Sequence, residues 1–474
     1  MNIIMFSAFI LYFFVLIGIT LYFYRKVKTA SDFIIGSRSL NYWVTAIATQ
    51  ASDMGSWLFL AFPAAIYSQG LFELWTAIGL VFFMFLNWHF IAPRLRIISE
   101  QTNSNTLSAL FEKQFADTSG LISLVSALFS LIFFTFYISS GVVGLGRLCE
   151  SAFEMNYHTG IILSLCTVTL YTIIGGFITT AWCDLFQGLF ILCMIIIVPL
   201  TALFYIPGIT SIISAYHAHV FHFSFIHNMP YGLFLAIGWG LGYFGQPHIL
   251  INFMGINDPK KLKSATIVGI TWQIIVLSAA IAIGLIAFTF FPTPVINPEL
   301  IYIIMAKSLF NSFVAGLALC AILAATLSTM DRHILMSGSV VASDLYHKII
   351  NPKATSQQII FVSRVASLVV SLCALYIAWT GNATIYGLVH YAWAGLGSTF
   401  GPLIIAALYS KKCTQYGALA GLIVGGTTAA LWPCTNIPIS PIIPGFILSM
   451  LTLYSISFIT KKYNYLPTLF TSRQ

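Results

Sequence analysis

The sequence predicts an all-α polytopic membrane protein of about thirteen transmembrane helices around a five-plus-five inverted-repeat core, N-terminus outside and C-terminus inside. Three observations carry that reading. Apolar runs of bilayer length follow one another with only short polar loops between them. Basic residues gather in alternate loops. Two runs, five apart in order, are interrupted by glycine, proline and polar residues at matching places.

The composition excludes whole classes of function. Hydrophobic residues make up 59% of the 474 residues and charged ones 7%, with a mean hydropathy of +0.92. A soluble domain carries about 25% charged residues. The loops leave no room for a soluble catalytic module, and no nucleophile–base set, phosphate loop or nucleotide motif occurs, so an enzyme is not expected. The net charge of +8 follows membrane topology rather than nucleic acid. The eight cysteines mostly lie in apolar runs without a metal-type C-x-x-C pair, and read as small core hydrophobes.

The run 3–23 has no basic n-region and no small-residue cleavage site, and Arg25, Lys26 and Lys28 follow it. It reads as a retained span. Runs at 43–66, 74–93, 121–145, 161–177 and 185–205 form one group of five. Runs at 233–253, 265–288, 313–345, 362–379 and 386–409 form a second, and 418–431 and 442–459 close the chain. The whole chain, 1–474, reads as a single integral transporter domain. It comprises a flanking helix (1–28), repeat one (about 40–206), repeat two (about 230–410) and flanking helices (about 413–460). Of the 21 Lys and Arg residues, all but Arg147, Lys307 and Arg332 fall on the predicted cytoplasmic side.

The run 43–66 carries Gln50, Ser52, Asp53, Gly55, Ser56 and Pro63. An ionisable group in a span costs roughly 2.5–3.5 kcal/mol on insertion scales, so it faces a cavity or a partner. Gly55 weakens the helix beside Asp53, and freed backbone groups at membrane depth belong where they line a site. A solute or ion site is expected near 51–57; the bland alternative is an Asp53 paired with a neighbour. The run 233–253 is broken in the same way by Gly238, Gly240, Gly242, Gly245 and Gln246-Pro247. An odd number of helices per group turns the second group over relative to the first. Paired breaks in such groups point to a secondary transporter with a midplane site.

Several blocks, in order along nearly the whole chain, resemble the sodium:solute symporter family. They are Gly36-Ser-Arg-Ser-Leu40 with Trp43-Val-Thr-Ala46; Ala51-Ser-Asp-Met54 with Trp57; and Tyr171-Thr-Ile-Ile-Gly-Gly-Phe177 with Trp182, Asp184 and Gln187. Then come Gly238-Trp-Gly-Leu-Gly-Tyr-Phe-Gly-Gln-Pro-His-Ile-Leu250, Ala321-Ile-Leu-Ala-Ala325 with Ser328-Thr329, and Tyr391-Ala-Trp-Ala-Gly395 with Phe400-Gly-Pro402. The Gly-Gln-Pro-His run looks like the family's proline branch. The resemblance implies a leucine-transporter-type fold in a bacterial cytoplasmic (inner) membrane, and sodium-coupled uptake of L-proline by alternating access. Sodium is the co-transported ion, and no cofactor is implied. By resemblance, sodium is expected at Ala51, Met54, Ala325, Ser328 and Thr329. Solute is expected at Trp57, Tyr137 and Trp239, with Gln246 and Pro247 at the second break. Asp53, Asp184 and Arg38 match positions tied to coupling. The bland readings are a Ser or Thr bonding the carbonyl one turn back, aromatics packing at interfaces, and Arg38 as a positive-inside anchor.

Two departures stand out. Gly55-Ser56 replaces the family's Ser-Gly, which moves the hydroxyl by one residue. After Ser328-Thr329 come Met330, Asp331, Arg332 and His333, where the proline branch has small or neutral residues. Adjacent helix residues do not face each other, so Asp331 and Arg332 each want other partners. Arg332 pairing with a carboxylate such as Asp184 is one expectation; a changed coupling ion, or a role for a proton, is another. A symporter of another small solute, a transporter-like membrane sensor and a channel remain the competing readings. His217, His219, His222 and His227 read as a solvated loop.

Overall fold

In the computed structural model the described residues are 3–25, 29–219, 229–291, 293–381 and 383–461. All regular structure among them is helical. Ten helices are long and apolar enough to cross a membrane, and Tyr157–Ile173 is a shorter apolar one. The expected runs 121–145, 265–288, 386–409 and 442–459 fall within helices Leu121–Phe153, Leu262–Phe290, Ile385–Tyr409 and Ile442–Thr460. Lys26, Lys28, Lys462 and Arg473 lie outside the described residues, as do His222 and His227.

The two interrupted runs fold as broken helices. The first is Tyr42–Met54, a 3-10 turn Ser56–Leu58, and Ala61–Gln69. Asn41 caps its start by accepting from the Val44 N–H at 2.9 Å. Gly55 ends the first half with φ 52 and ψ −164, a conformation closed to residues with a Cβ. The second is Met229–Gly240, a 3-10 turn Leu241–Gly245, and Pro247–Gly255, with proline at the first turn where it gives up no helical bond.

A backbone clip joins the two broken helices near Arg38 and Arg96. The Leu40 N–H donates to Gly255 O at 3.2 Å, and the Asn257 N–H donates to Leu40 O at 2.8 Å. It forms an isolated parallel bridge between Leu40 and Ile256. Arg96 Nε donates to Ile256 O at 2.7 Å, and Arg38 Nη2 to Ser99 O at 2.8 Å and Ser104 O at 3.0 Å. Arg38 is thus a half-buried clamp on this end of the molecule. Burial, then the charge of Arg96, lower its pKa, but a guanidinium remains protonated.

The expected runs 161–177 and 185–205 form one helical stretch, Tyr157–Leu203, bent at Gly176 with φ 67. Gly175-Gly176 and Gly425-Gly426 are both expected to permit close helix contact. Gly425 does, because a Cβ there would stand 2.2 Å from Ser398 O. Gly176 supplies the left-handed backbone of the bend, and Phe33 closes against it. Helices Leu107–Gln114, Ile209–His219 and Ile301–Leu309 lie in stretches that hydropathy reads as loops.

The helix Ser312–Val340 is buried along almost its whole length. It packs against Ile3–Tyr24, Leu121–Phe153, Tyr157–Leu203 and the first broken helix. That position explains how Asp331, Arg332 and His333 can stand in an otherwise apolar core: each is fully enclosed by protein.

Candidate ion and solute site

The break at Gly55 places the last turn of Tyr42–Met54 beside Ser312–Val340. Ser328 Oγ lies 2.8 Å from Ala51 O and 2.9 Å from Ala325 O. Thr329 Oγ1 is buried and has no hydrogen-bond partner among the described residues. It faces the break, 3.2 Å from where a Cβ on Gly55 would stand. Two carbonyls thus meet the Ser328 hydroxyl, and the Thr329 hydroxyl faces the adjacent break. They are hard, uncharged oxygen donors of the kind that suit a hard cation.

Next to this cluster lie two adjoining cavities that share Met54, Trp57, Tyr137 and Val389. One also reaches Ser56, Ser140 and Thr329. The other reaches Asp53, Trp239, Tyr243 and Trp393. Trp57 stacks on Phe62 at 4.8 Å between centroids, and its ring lies 5.6 Å from that of Trp239. Tyr386 and His390 support the other side of Trp239. Trp57 Nε1 is a buried donor without a partner among the described residues. Such a pocket offers aromatic walls to an apolar ring and few polar groups to orient a charged end.

Asp53 is held across the two breaks. Tyr243, in the turn of the second broken helix, donates to Asp53 Oδ2 at 2.7 Å, and Gln273 Nε2 donates to Tyr243 Oη at 2.9 Å. Tyr137 Oη lies 3.5 Å from Asp53 O, and its ring stacks on His333 at 4.2 Å. His333 in turn lies 4.3 Å from His248.

One turn past Ser328, Arg332 meets Asp184. Its Nε donates to Asp184 Oδ2 at 2.7 Å, and its Nη2 is equally near but poorly aligned for a hydrogen bond. Both side chains are fully buried. The guanidinium lies 4.6 Å from the Phe177 ring centroid. Asp331 has a different partner: Tyr171 donates to its Oδ2 at 2.6 Å. The expectation that neighbouring Asp331 and Arg332 look in different directions agrees with these contacts.

A third cavity is lined by Thr106, Ser108, Ser126, Pro247, Met336 and Ser339 among others. Asp344 accepts from two of these residues, Ser108 and, at 3.2 Å, Thr106. Lys348 pairs with Glu112 beside it and donates to Ser123 at 3.1 Å.

The model of the sodium:solute symporter family matches residues 33–425. The chain belongs to the sodium:solute symporter family. Among its relatives is the osmoregulated proline transporter OpuE of Bacillus subtilis (strain 168), 38% identical over 463 residues, or 95% of this chain and 94% of that one. The high-affinity proline transporter PutP of the same organism is 37% identical, over 92% and 94%. Sodium/proline symporter 2 of Staphylococcus saprophyticus is 37% identical, over 96% and 92%. A Na+-coupled sialic acid symporter, solved substrate-bound and outward-open, shares the fold with a TM-score of 0.79 at 17% identity, over 96% and 98% of the two chains. MhsT, solved with L-phenylalanine, aligns with a TM-score of 0.57 at 14% identity, over 88% and 98%. A symporter family is a family of transporters, not enzymes.

Within this family chain, the structure gathers most of the expected site residues. Ala51, Ala325 and Ser328 meet at one hydroxyl, Thr329 faces the break beside them, and Met54, Trp57, Tyr137 and Trp239 line the adjoining space. Gln246 and Pro247 stand apart from that space. Gln246 Nε2 donates to Trp393 O at 3.1 Å, and Pro247 lines the third cavity. Arg38 belongs to the clamp near Leu40. Sequence reasoning missed Tyr243, Gln273, Trp393 and His248. Tyr243 and His248 sit in the run that carries Trp239, where their polar atoms inside a glycine-rich break were the available signal.

Proposed function

We propose that this chain is a sodium-coupled symporter that carries L-proline inward across the bacterial cytoplasmic membrane by alternating access. The observation that carries the reading is the meeting of Ser328 Oγ with the Ala51 and Ala325 carbonyls, with an unpartnered Thr329 hydroxyl facing the same helix break, beside an aromatic pocket. Freed carbonyls of broken helices bind sodium in such transporters. The names of the OpuE, PutP and staphylococcal relatives support proline as the solute.

In this reading Ala51, Met54, Ala325, Ser328 and Thr329 serve sodium. Trp57, Tyr137 and Trp239 hold the imino-acid ring, with Gln246 and Pro247 shaping the second break. Asp53, Asp184 and Arg38 serve coupling. Thirteen crossings, with the N-terminus outside and the C-terminus inside, place the clamp around Arg38 on the cytoplasmic side. Repeat one (about 40–206) and an inverted repeat two (about 230–410) then rock around the site, flanked by 1–28 and 413–460, within one domain. One charge moving through 100 mV supplies about 2.3 kcal/mol, enough for roughly a fifty-fold solute gradient.

Ser56 favours a second reading, symport of another small solute, because its shifted hydroxyl lines the cavity that reaches Thr329. Radiolabelled proline uptake into proteoliposomes under an inward sodium gradient, with potassium and proton controls, separates the two. Sodium-driven accumulation blocked only by proline-like solutes is expected. Uptake indifferent to sodium would overturn the coupling, and no proline uptake would move the choice to another solute.

A further inference from the structure

His333 is fully buried, and the proposed function leaves it without a task. It lies one turn past Thr329, so the two side chains share a face of helix Ser312–Val340. Its Nδ1 is 2.6 Å from Thr329 O. A carbonyl only accepts, so Nδ1 carries the hydrogen, and the bond fixes how the ring is turned. The ring stacks on Tyr137 with 4.2 Å between centroids and 21° between planes. Phe134 meets it edge-on at 5.2 Å, and His248 lies 4.3 Å away. One hydrogen bond and three neighbouring rings thus hold the imidazole in place.

The residue it backs is Tyr137. Tyr137 lines both cavities of the candidate solute site, and its Oη comes within 3.5 Å of Asp53 O at the first break. His333 itself is not among the residues lining either cavity. The helices that carry the two rings already touch at Gly141, one turn on from Tyr137, where a Cβ would stand 2.5 Å from Met330 Cγ. They have no room to draw together if the imidazole is lost, so Tyr137 would move into the gap.

We infer that His333 is a positioning residue for the solute: it holds Tyr137 forward as the shared wall of the two cavities, and so sets how large a ring the pocket accepts. The inference rests on the proposed function and adds a determinant of its selectivity.

The test separates the position of the wall from general damage. His333→Ala removes the ring and its hydrogen bond. The half-saturating proline concentration is expected to rise about ten-fold, with the maximal rate within about two-fold of wild type. Pipecolate, whose ring is one methylene larger, should gain about ten-fold as a competitor relative to proline, as one methylene is worth about ten-fold or more in a closed pocket. His333→Phe keeps a ring that can stack, and is expected to restore both values to within about three-fold of wild type. Tyr137→Ala with His333→Ala should be no worse than Tyr137→Ala alone, since His333 acts through Tyr137. Unchanged half-saturation and competition in a folded His333→Ala protein would overturn the inference. So would a fall in maximal rate alone, or losses that add in the double variant.

A solute-free reading uses Ser140, which lines the same cavity as Tyr137 and donates to Tyr137 O at 2.6 Å. Ser140→Cys, on a background with the native cysteines replaced, is expected to react several-fold faster with a small thiol reagent once His333→Ala is added, and at an unchanged rate with His333→Phe. Equal rates with and without His333→Ala would overturn the inference. Labelling therefore decides it even if proline proves to be the wrong solute. If His333→Ala does not fold, by size-exclusion and thermal melt, His333→Leu keeps the bulk without a flat face to stack. The same measurements are then expected to move in the same direction by about three-fold, and no movement would overturn the inference.

Discussion

Tyr243 donates its hydroxyl hydrogen to Asp53 across 2.7 Å, and the two residues belong to different broken helices. The bond is buried, and it joins the backs of the two breaks behind the aromatic pocket. Leaving a buried acceptor unsatisfied costs about 1–3 kcal/mol. Tyr243→Phe is expected to lower proline uptake at limiting sodium by roughly ten-fold. Asp53→Asn should lower it similarly, and the double variant should lose little more. Additive losses would show that the two residues act separately.

The oxygen cluster makes a sharper demand. Ser328→Ala removes one hydroxyl that already touches Ala51 O and Ala325 O, and Thr329→Val removes the unpartnered one. Each is expected to raise the half-saturating sodium concentration about ten-fold, since 1.4 kcal/mol is a factor of ten. Thr329→Ser keeps the hydroxyl and should stay close to wild type. Sodium titration of uptake at saturating proline reads all three; a loss confined to proline affinity would move these residues out of the ion site.

For the solute, Trp239 and Trp57 face each other at 5.6 Å. Trp239→Ala deletes one wall and is expected to raise the half-saturating proline concentration by at least ten-fold. Trp239→Phe should fall between the two, as aromatic contacts are worth about 0.5–1.5 kcal/mol beyond area burial. Competition between labelled proline and ring-free amino acids checks whether selectivity for the ring falls with it.

Asp344 holds Ser108 and Thr106, two residues of the third cavity's wall, and is expected to keep that cavity closed. A hydrogen bond to a charged group is worth about 1.5–3 kcal/mol. Asp344→Asn is therefore expected to populate the open form about ten-fold more. Ser339→Cys, on a background with the native cysteines replaced, should react correspondingly faster with a membrane-impermeant thiol reagent applied to both faces of the membrane. Unchanged labelling would show that the clasp does not gate that cavity.

Much of this arrangement was legible because membranes punish exceptions. Asp53 and Gly55 inside one apolar run announce a break, and the structure turns the chain at Gly55. The Arg332–Asp184 pairing could be anticipated because few buried carboxylates were available to an interior arginine. Tyr243 was not anticipated as the partner of Asp53, since nothing in a linear pattern states which hydroxyl crosses 190 residues to reach it. Hydropathy also cannot see Ile301–Leu309, which is too short to span and whose burial depends on neighbours distant in sequence. Gly176 was read for its missing side chain, which Phe33 does approach, but not for the backbone angle that bends the helix.

The clip at Leu40 is made from main-chain atoms alone. Of the twenty amino acids only proline lacks the N–H it uses. Replacement at Leu40 or Asn257 therefore leaves both bonds in place unless proline arrives. The aromatic pocket, built from side chains, has no such immunity. Under the proposed function, descendants of this chain are free to exchange Trp57, Tyr137 or Trp239 and acquire new cargo, while the two broken helices stay fastened in the same register.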